Sequence, residues 1–586
     1  MSKLQIGSVF ESTPNSIVVN VDSHETFDAN KNQMQIGRYL QIQEGNNSLV
    51  VAQIQNVKSI LMQDKIIFQI STRPLGMIDT EGGFVRGSII LPMPTEPVFL
   101  LSGDDISKIY ASNDASDYLI GKLLHNMDVD YFLDGNKFFS KHVAIVGSTG
   151  SGKSCAVTRI LHNAIGIDAG RNINSNAQKN SHVIIFDIHS EYAHAFKLED
   201  KENFSLNLLD VDSLSLPYWL MNADELESLF IESQEQNSHN QISIFKQAVT
   251  KNKERHNQGM SITYDTPVYF SILEVLYYIT NMNNEMVCKV AGDKNFNAPK
   301  LSDGSFVNRD KYYDKIYSFA EQSSSAKDKT SSGPFKGDFD RFILRLETRL
   351  HDTRLNFLLK PMKADGNEYK TSDFSDIVKQ FIGYLSKSNV SIIDLSGIPF
   401  EVLSIVISLV SRIIFDFCFH YSKLRHSTDE MNDIPILLVC EEAHNYIPKT
   451  GGAEYYASKR SLERIAKEGR KYGLSMMIVS QRPAEVSETI FAQCNNFIAL
   501  RLNNDNDQNY IRRLLPENDA SIADILPNLG LGEALVVGDA AILPSLVKLS
   551  KPNPEPKSET VDVYRKWLEN WRELDFEKVI ERWRKA

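Results

Sequence analysis

Chemistry first shows itself at Gly147-Ser148-Thr149-Gly150-Ser151-Gly152-Lys153-Ser154. This run has the spacing G-x-x-x-x-G-K-[ST], follows the apolar stretch Val143–Val146 and leads into a helical pattern, the context that gives the motif its meaning. Glycines let successive backbone N–H groups turn inward on phosphates, and the following helix adds its positive N-terminal end. Lys153 would set its charge against β and γ phosphates, while the Ser154 hydroxyl would reach a magnesium ion. The ligands expected from these residues are ATP and Mg2+.

A second run, Ile434-Pro-Ile-Leu-Leu-Val-Cys-Glu441-Glu442-Ala443-His444, is an apolar strand ending in two carboxylates. Phosphoryl transfer to water needs a held metal and an oriented nucleophile. Glu441 is the candidate for the metal shell, through water, and Glu442 the candidate for orienting and deprotonating the attacking water. Taken alone the pair also fits a buried strand that meets solvent at an acidic turn; beside a phosphate loop the catalytic reading prevails. The two elements lie 289 positions apart (442 − 153). A third strand, Leu474–Ser480, ends in Gln481-Arg482-Pro483, and an amide at such a tip could report whether the γ-phosphate is present.

These residues require strands that alternate with helices. From about His142 onward the pattern is that of a parallel α/β sheet, with strands expected at His142–Val146, His182–Phe186, Val390–Leu395, Ile434–Cys440 and Leu474–Ser480. Residues 5 to about 102 instead carry short β-rich runs at Ser16–Val21, Tyr39–Gln43, Leu49–Val57, Lys65–Thr72, Ser88–Leu91 and Val98–Ser102, broken by turn residues, which suggests a small barrel. The expected fold is α/β: a RecA-like P-loop ATPase core of the ASCE type, with an N-terminal β-barrel and an inserted helical domain. Its expected boundaries are 1–103 for the barrel, 104–214 with 386–550 for the core, and 215–385 for the insertion. Residues 321–337 are polar and predicted to form a mobile loop, and 551–586 a Pro-rich linker with an amphipathic helix at about Val561–Trp583.

Composition narrows the class. The 586 residues are 42% hydrophobic with a net charge of −12, so contact with nucleic acid would have to come from a local basic surface. Five scattered cysteines with no CxxC pair argue against a zinc site or a disulfide framework. The start, MSKLQIGSVFESTPNS, lacks the apolar centre of a signal peptide. The apolar stretch Val402–Phe419 is interrupted by Arg412 and Asp416 and reads as a buried helix rather than a span. No membrane association and a cytoplasmic location are expected.

Arg460, Arg464, Lys467 and Lys471 fall on one helical face, which could meet phosphates or simply be solvated. Arg341, Arg345 and Arg349 form another stripe, where Leu346 and Leu350 favour packing. Trp567, Trp571 and Trp583 are expected to pack on their own domain or dock on a neighbour.

The chain resembles the HerA family, within the HerA/FtsK class of pumping ATPases, over nearly its whole length. The resemblance rests on the barrel, on Lys141–Ser154, and on Asp187-Ile-His189-Ser-Glu191-Tyr192 against a family pattern D-x-H-G-E-Y. It rests further on Glu441-Glu442-Ala-His444, on Glu468-Gly-Arg470-Lys-Tyr-Gly473 and on Ser480-Gln481-Arg482-Pro483. It implies a homohexamer with ATP at subunit interfaces, double-stranded DNA in the pore, and a nuclease (NurA-like) or a sirtuin-like or other effector as partner, in repair or phage defence. Lys141 stands where the family commonly has an arginine thought to reach the neighbour's ATP, and lysine lacks the planar fork. Arg470 matches a family arginine that senses nucleotide and is the better candidate cation. Ser190 replaces the family's glycine, a difference expected to matter little. The function this implies is ATP-driven translocation on, or unwinding of, double-stranded DNA. The alternative is an ATP-binding ring scaffold that activates an effector with little motor output; a secretion-type ATPase is a third, less favoured reading.

Overall fold

The computed structural model describes residues 4–44, 48–62, 65–78, 84–87, 90–101, 103–110, 116–168, 171–172, 179–198, 204–232, 238–515, 517–558 and 562–585. The chain divides into two compact units: Met1–Leu206 with Tyr421–Lys449 and Glu463–Thr560, and Asn207–His420 with Thr450–Leu462 and Val561–Ala586.

The first unit begins with strands β1 (Gln5–Ser12), β2 (Ile17–Val21), β3 (Tyr39–Glu44), β4 (Ser48–Met62), β5 (Lys65–Ile78), β6 (Phe84–Arg86) and β7 (Pro97–Leu100). Hydrogen bonding runs β2-β1-β7-β3-β4-β5, and β5 pairs back onto β2, closing a six-stranded barrel with β6 hung on β5. Period-two burial drives this. Ile17, Val19 and Val21 turn inward while Val18 and Asn20 do not, and they meet Ile6, Leu40, Ile42, Val50, Ile54, Ile70 and Val98 in one core. Register shifts at Val51/Ala52 and Ile54/Asn56 bend the long β4–β5 pair so that the sheet can close. β1 is missing from the expected runs because its polar residues and Gly7 blur the alternation. Of the expected run Ser88–Leu91, Ser88 and Ile89 lie outside the described residues, and Ile90 and Leu91 are not in a strand.

The unit's second sheet contains β8 (Asp117–Leu123), β9 (Asn126–Asp134), β10 (His142–Val146), β11 (His182–Asp187), β12 (Ile436–Cys440), β13 (Leu474–Ser480), β14 (Cys494–Ala499), β15 (Glu533–Gly538) and β16 (Ser545–Leu549). Their order is β11-β12-β13-β10-β14-β15-β16-β8-β9. The first five strands are parallel and the remainder antiparallel. Every residue of β10, β12 and β13 is buried, the mark of parallel strands covered on both faces. The carboxylate-bearing strand β12 is not next to the phosphate-loop strand β10; β13 lies between them. This is the additional-strand arrangement expected of the core, and it sets the two strand tips about 10 Å apart.

The second unit is mainly helical. Asn222 and Glu225 form a reciprocal capping box that starts the helix Ala223–Phe230, and Ser271 caps Ile272–Asn284. Glu225 is buried and pairs with Arg412 at 2.9 Å, so the charge inside the apolar helix Phe400–His426 is compensated. That helix is long and apolar enough to cross a bilayer, and 78% of its most apolar stretch is buried inside the protein. The strand expected at Val390–Leu395 occurs at Val390–Asp394 and groups with this unit.

Residues 321–337, expected to form a mobile loop, carry a short strand. Thr330–Ser332 pairs with Met286–Cys288, and the buried Thr330 hydroxyl donates to the Glu321 carbonyl at 2.6 Å. A single buried threonine organises a segment whose average polarity hides it. At the C-terminus the expected long helix is two short ones, Val563–Trp567 and Phe576–Lys585, and Trp567, Trp571 and Trp583 are 79–95% exposed instead of packed on their own domain.

Candidate nucleotide site

The phosphate loop leaves β10 and feeds the helix Lys153–Ile165. Gly150 and Gly152 have φ of +74° and +98°, a region that favours glycine. A Cβ on Gly147 would lie 2.5 Å from Ser151 Oγ and 2.9 Å from Leu500 Cβ, so the first glycine is demanded by close packing. Ser148 N–H donates to the Arg501 carbonyl at 2.8 Å, and Gly147 N–H to the Ser480 carbonyl at 3.3 Å, anchoring the loop to the tips of β13 and β14. The Thr149 hydroxyl donates to Gln481 Oε1, so the amide at the end of β13 lies on the phosphate loop.

Glu441 and Glu442 leave β12 into the same space. Lys153 is buried, and its Nζ lies 3.7 Å from Glu442 Oε1. Glu442 adopts the left-handed region (φ +44°, ψ +47°), a strained conformation for a side-chain-bearing residue that here turns its carboxylate toward Lys153. The other oxygen, Oε2, lies 3.3 Å from His444 Nδ1, and His444 Nδ1 is also 3.3 Å from Ser480 Oγ. Burial lowers the His444 pKa against the pull of Glu442. Glu441 is driven the other way: burial, then the charges of Asp187, Glu191 and Glu442, raise its pKa well above the carboxylate range.

Two residues that the sequence shows only as a family match complete this cluster. Glu191 Oε2 accepts from the Ser154 hydroxyl at 2.7 Å. Asp187, fully buried, accepts from the Glu191 and Tyr192 N–H groups at 3.1 and 2.9 Å and fixes the turn that carries Glu191. Ser190 in that turn has φ +56°, so glycine suits the position for a conformational reason and the serine is a costlier replacement than its size suggests. The Lys557 N–H donates to the Glu191 carbonyl at 2.8 Å, laying the Pro-rich linker against the site.

The arrangement fits a hydrated divalent cation. Glu191 accepts from the Ser154 hydroxyl, and the charges of Asp187 and Glu191 bear on the buried Glu441. A cation there would relieve the repulsion that raises the Glu441 carboxyl, and Mg2+ typically takes one or two protein ligands and completes its shell with water and phosphate.

Lys141 and Arg470 are elsewhere. Lys141 precedes β10 and Arg470 precedes the parallel β13, so both stand at the strand starts, about 16 Å of strand away from the phosphate loop. There Lys141 Nζ meets Asp539 Oδ2 at 2.6 Å, Arg470 Nη1 donates to Asn495 Oδ1 at 3.0 Å, and Asn495 Nδ2 donates to Asp539 Oδ2 at 3.3 Å. Neither cation shares a site with the phosphate loop of this chain. Asn495 and Asp539 carry no motif that sequence reasoning could use. The basic face at 460–471 is largely engaged: Arg460 pairs with Asp224, and Arg464 and Lys467 lie 4.0 Å from Glu468 and Glu463. In the other stripe Arg345 pairs with Glu232 at 3.2 Å while Phe342, Leu346 and Leu350 are buried, so that helix packs.

A family model described as the central domain of helicase HerA matches residues 118–414, half of the chain. The chain belongs to the HerA helicase family. The HerA-like chain is 25% identical over 565 residues to a probable DNA double-strand break repair helicase HerA of Methanocaldococcus jannaschii, covering 94% of this chain and 98% of that one. It is 26% identical over 502 residues to a DNA double-strand break repair helicase HerA of Sulfolobus acidocaldarius, covering 85% and 81%. Among solved structures, VirB4 of Thermoanaerobacter pseudethanolicus superposes with a TM-score of 0.43 at 15% identity, over 75% of this chain and 97% of that one. As a HerA-family protein the chain is an ATPase of the helicase and translocase class.

Proposed function

We propose that this HerA-family chain is the subunit of a homohexameric, ATP-hydrolysing motor that translocates on or unwinds double-stranded DNA in the cytoplasm, beside a nuclease or other effector in repair or phage defence. The observation that carries the ring is the separation of Lys141 and Arg470 from their own phosphate loop. A cation that no phosphate in its own subunit can use is accounted for if a neighbour's ATP meets it. The DNA substrate is inferred from relatives named as double-strand break repair helicases.

In this reading the backbone of residues 147–154 cradles the phosphates of ATP, with Lys153 against the β and γ groups. Ser154 and, through water, Glu441 hold Mg2+, which supplies charge neutralisation at the transferring phosphoryl group. Glu442 orients the attacking water and takes its proton, and Gln481 reports the γ-phosphate to β13. Arg470 of the adjacent subunit outweighs Lys141 as the trans-acting cation, because a guanidinium grips phosphoryl oxygens in two places and an ammonium in one.

The test mixes Lys153→Ala subunits with Arg470→Ala subunits. If the two residues serve one shared site from opposite sides, some interfaces in mixed rings regain both intact halves and ATPase activity partly returns. No recovery, together with a strictly monomeric mass at micromolar concentration with ATP and Mg2+, would sink the ring. A duplex titration over a salt series tests the substrate: stimulation of the ATPase should weaken steeply with salt, since phosphate contacts release counterions. An ATPase indifferent to duplex at low salt moves the reading to an effector scaffold.

A further inference from the structure

Glu442 Oε2 is buried and has no hydrogen-bond partner among the described residues. A buried carboxylate oxygen without a partner is costly and calls for an explanation. A nitrogen stands within reach of it: Nδ1 of His444, 3.3 Å away. That same nitrogen lies 3.3 Å from Ser480 Oγ, which in turn accepts the Arg482 N–H at 3.0 Å. One imidazole nitrogen therefore faces two oxygens. One belongs to the candidate base, the other to the tip of β13, whose next residue, Gln481, is bonded to Thr149 of the phosphate loop.

The two oxygens of Glu442 have different neighbours, and this decides how the carboxylate can be held during turnover. Oε1 faces Lys153. Once phosphates claim Lys153, that contact is lost and Oε1 becomes free to receive a water proton. The carboxylate then needs a grip on its other oxygen, or the left-handed turn at residue 442 would carry a side chain free to swing. We propose that His444 is the positioning residue for Glu442: its Nδ1–H turns from Ser480 to Oε2 and fixes the base while Oε1 works. The inference rests on Glu442 being the base. It adds that the grip is traded against Ser480, so the strand tip that touches the phosphate loop and the residue that orients the base draw on a single donor.

Steady-state ATPase of the full chain tests this with His444→Ala, His444→Asn, Glu442→Gln and the double variant His444→Ala/Glu442→Gln. Asparagine puts an N–H donor close to where Nδ1 stands. Residues that orient a reacting group typically contribute about 10–100-fold, so His444→Ala should lower kcat by about that factor with KM for ATP within about twofold, and His444→Asn should restore most of it. In the Glu442→Gln background the alanine change should cost little more, because a positioning residue has nothing left to position. A kcat for His444→Ala near that of the unaltered chain overturns the proposal. So does an equal loss for alanine and asparagine, or a loss that multiplies fully onto Glu442→Gln, since each describes a merely structural histidine. If instead Glu442→Gln alone turns over normally, the base assignment fails and the His444 inference falls with it, a result separable from the others.

Discussion

At one end of β10 the carboxylates of Asp187, Glu191, Glu441 and Glu442 gather about Lys153 and Ser154; at the other end Lys141, Arg470, Asn495 and Asp539 join in a closed network. The first end is electrostatically open. Burial and like charge raise the Glu441 carboxyl, and among the described residues Glu442 Oε2 has no hydrogen-bond partner. The second end is satisfied within the chain, with Lys141 and Asp539 23% and 49% exposed. The contrast teaches that the end carrying the phosphate-loop motif leaves charge uncompensated, whereas the end carrying the two cations is engaged by Asp539 and Asn495 of the same chain.

The comparison breaks most readily at the cation end. Arg470→Ala should slow hydrolysis by about 10³–10⁵-fold if the guanidinium meets a neighbour's phosphoryl group, with Lys141→Ala clearly milder; a loss under tenfold for Arg470→Ala in single-turnover ATPase would leave Asn495 holding an ordinary surface arginine. At the carboxylate end, Glu442→Gln should cost about 10²–10⁴ in turnover while still binding nucleotide. Near-normal steady-state rates would remove the base.

A third outcome concerns stability. His142, the first residue of β10, accepts the Met476 N–H at Nδ1 and meets the Ala466 carbonyl with Nε2, each at 3.0 Å, and burial drops its pKa to about 4. The unfolded chain, with an ordinary histidine near 6.5, takes up the proton first as pH falls. Stability from this group is therefore complete above about pH 6.5 and declines toward pH 4, at up to about 1.4 kcal/mol per unit. Urea melts at pH 7 and pH 5 should show His142→Gln losing roughly 2 kcal/mol less than the unaltered chain; equal losses would mean that the ring is not held neutral. The smallest effect is expected at Ser190. Ser190→Gly should relieve the left-handed strain of about 1 kcal/mol, partly offset by the looser unfolded chain, so a lowered thermal midpoint would contradict the strain.

Legibility in the sequence follows the same division. Residues 147–154 and the run ending in Glu441-Glu442 are contiguous, because a phosphate-type loop and the strand beside it are local structures; the fold class and both halves of the candidate nucleotide site could be read from them. The cation network joins residues 141, 470, 495 and 539, which only the register of four strands brings together, and no spacing along the chain encodes that. His444 was visible as part of a motif, yet its task depends on Ser480, a strand away. The barrel was legible through its alternation, except at β1, where polar residues and a glycine hide the pattern. Exposed tryptophans at the C-terminus defeat the ordinary expectation that large apolar residues find a core within their own chain.

The outer border of the ATPase sheet has a consequence for life in a crowded cell. β9 ends the strand order, and a terminal strand offers unpaired N–H and C=O groups to any passing β-segment. Val129, Tyr131 and Leu133 are buried on β9, while Asp128 and Asp130, on either side of Val129, are exposed. Asp130 pairs with Lys122 of the neighbouring β8 at 3.6 Å, so the exposed face of this border carries charge of both signs. Charged side chains on a border strand work against edge-to-edge pairing, and the far end of β9 is already taken up by Ala540 and Ala541.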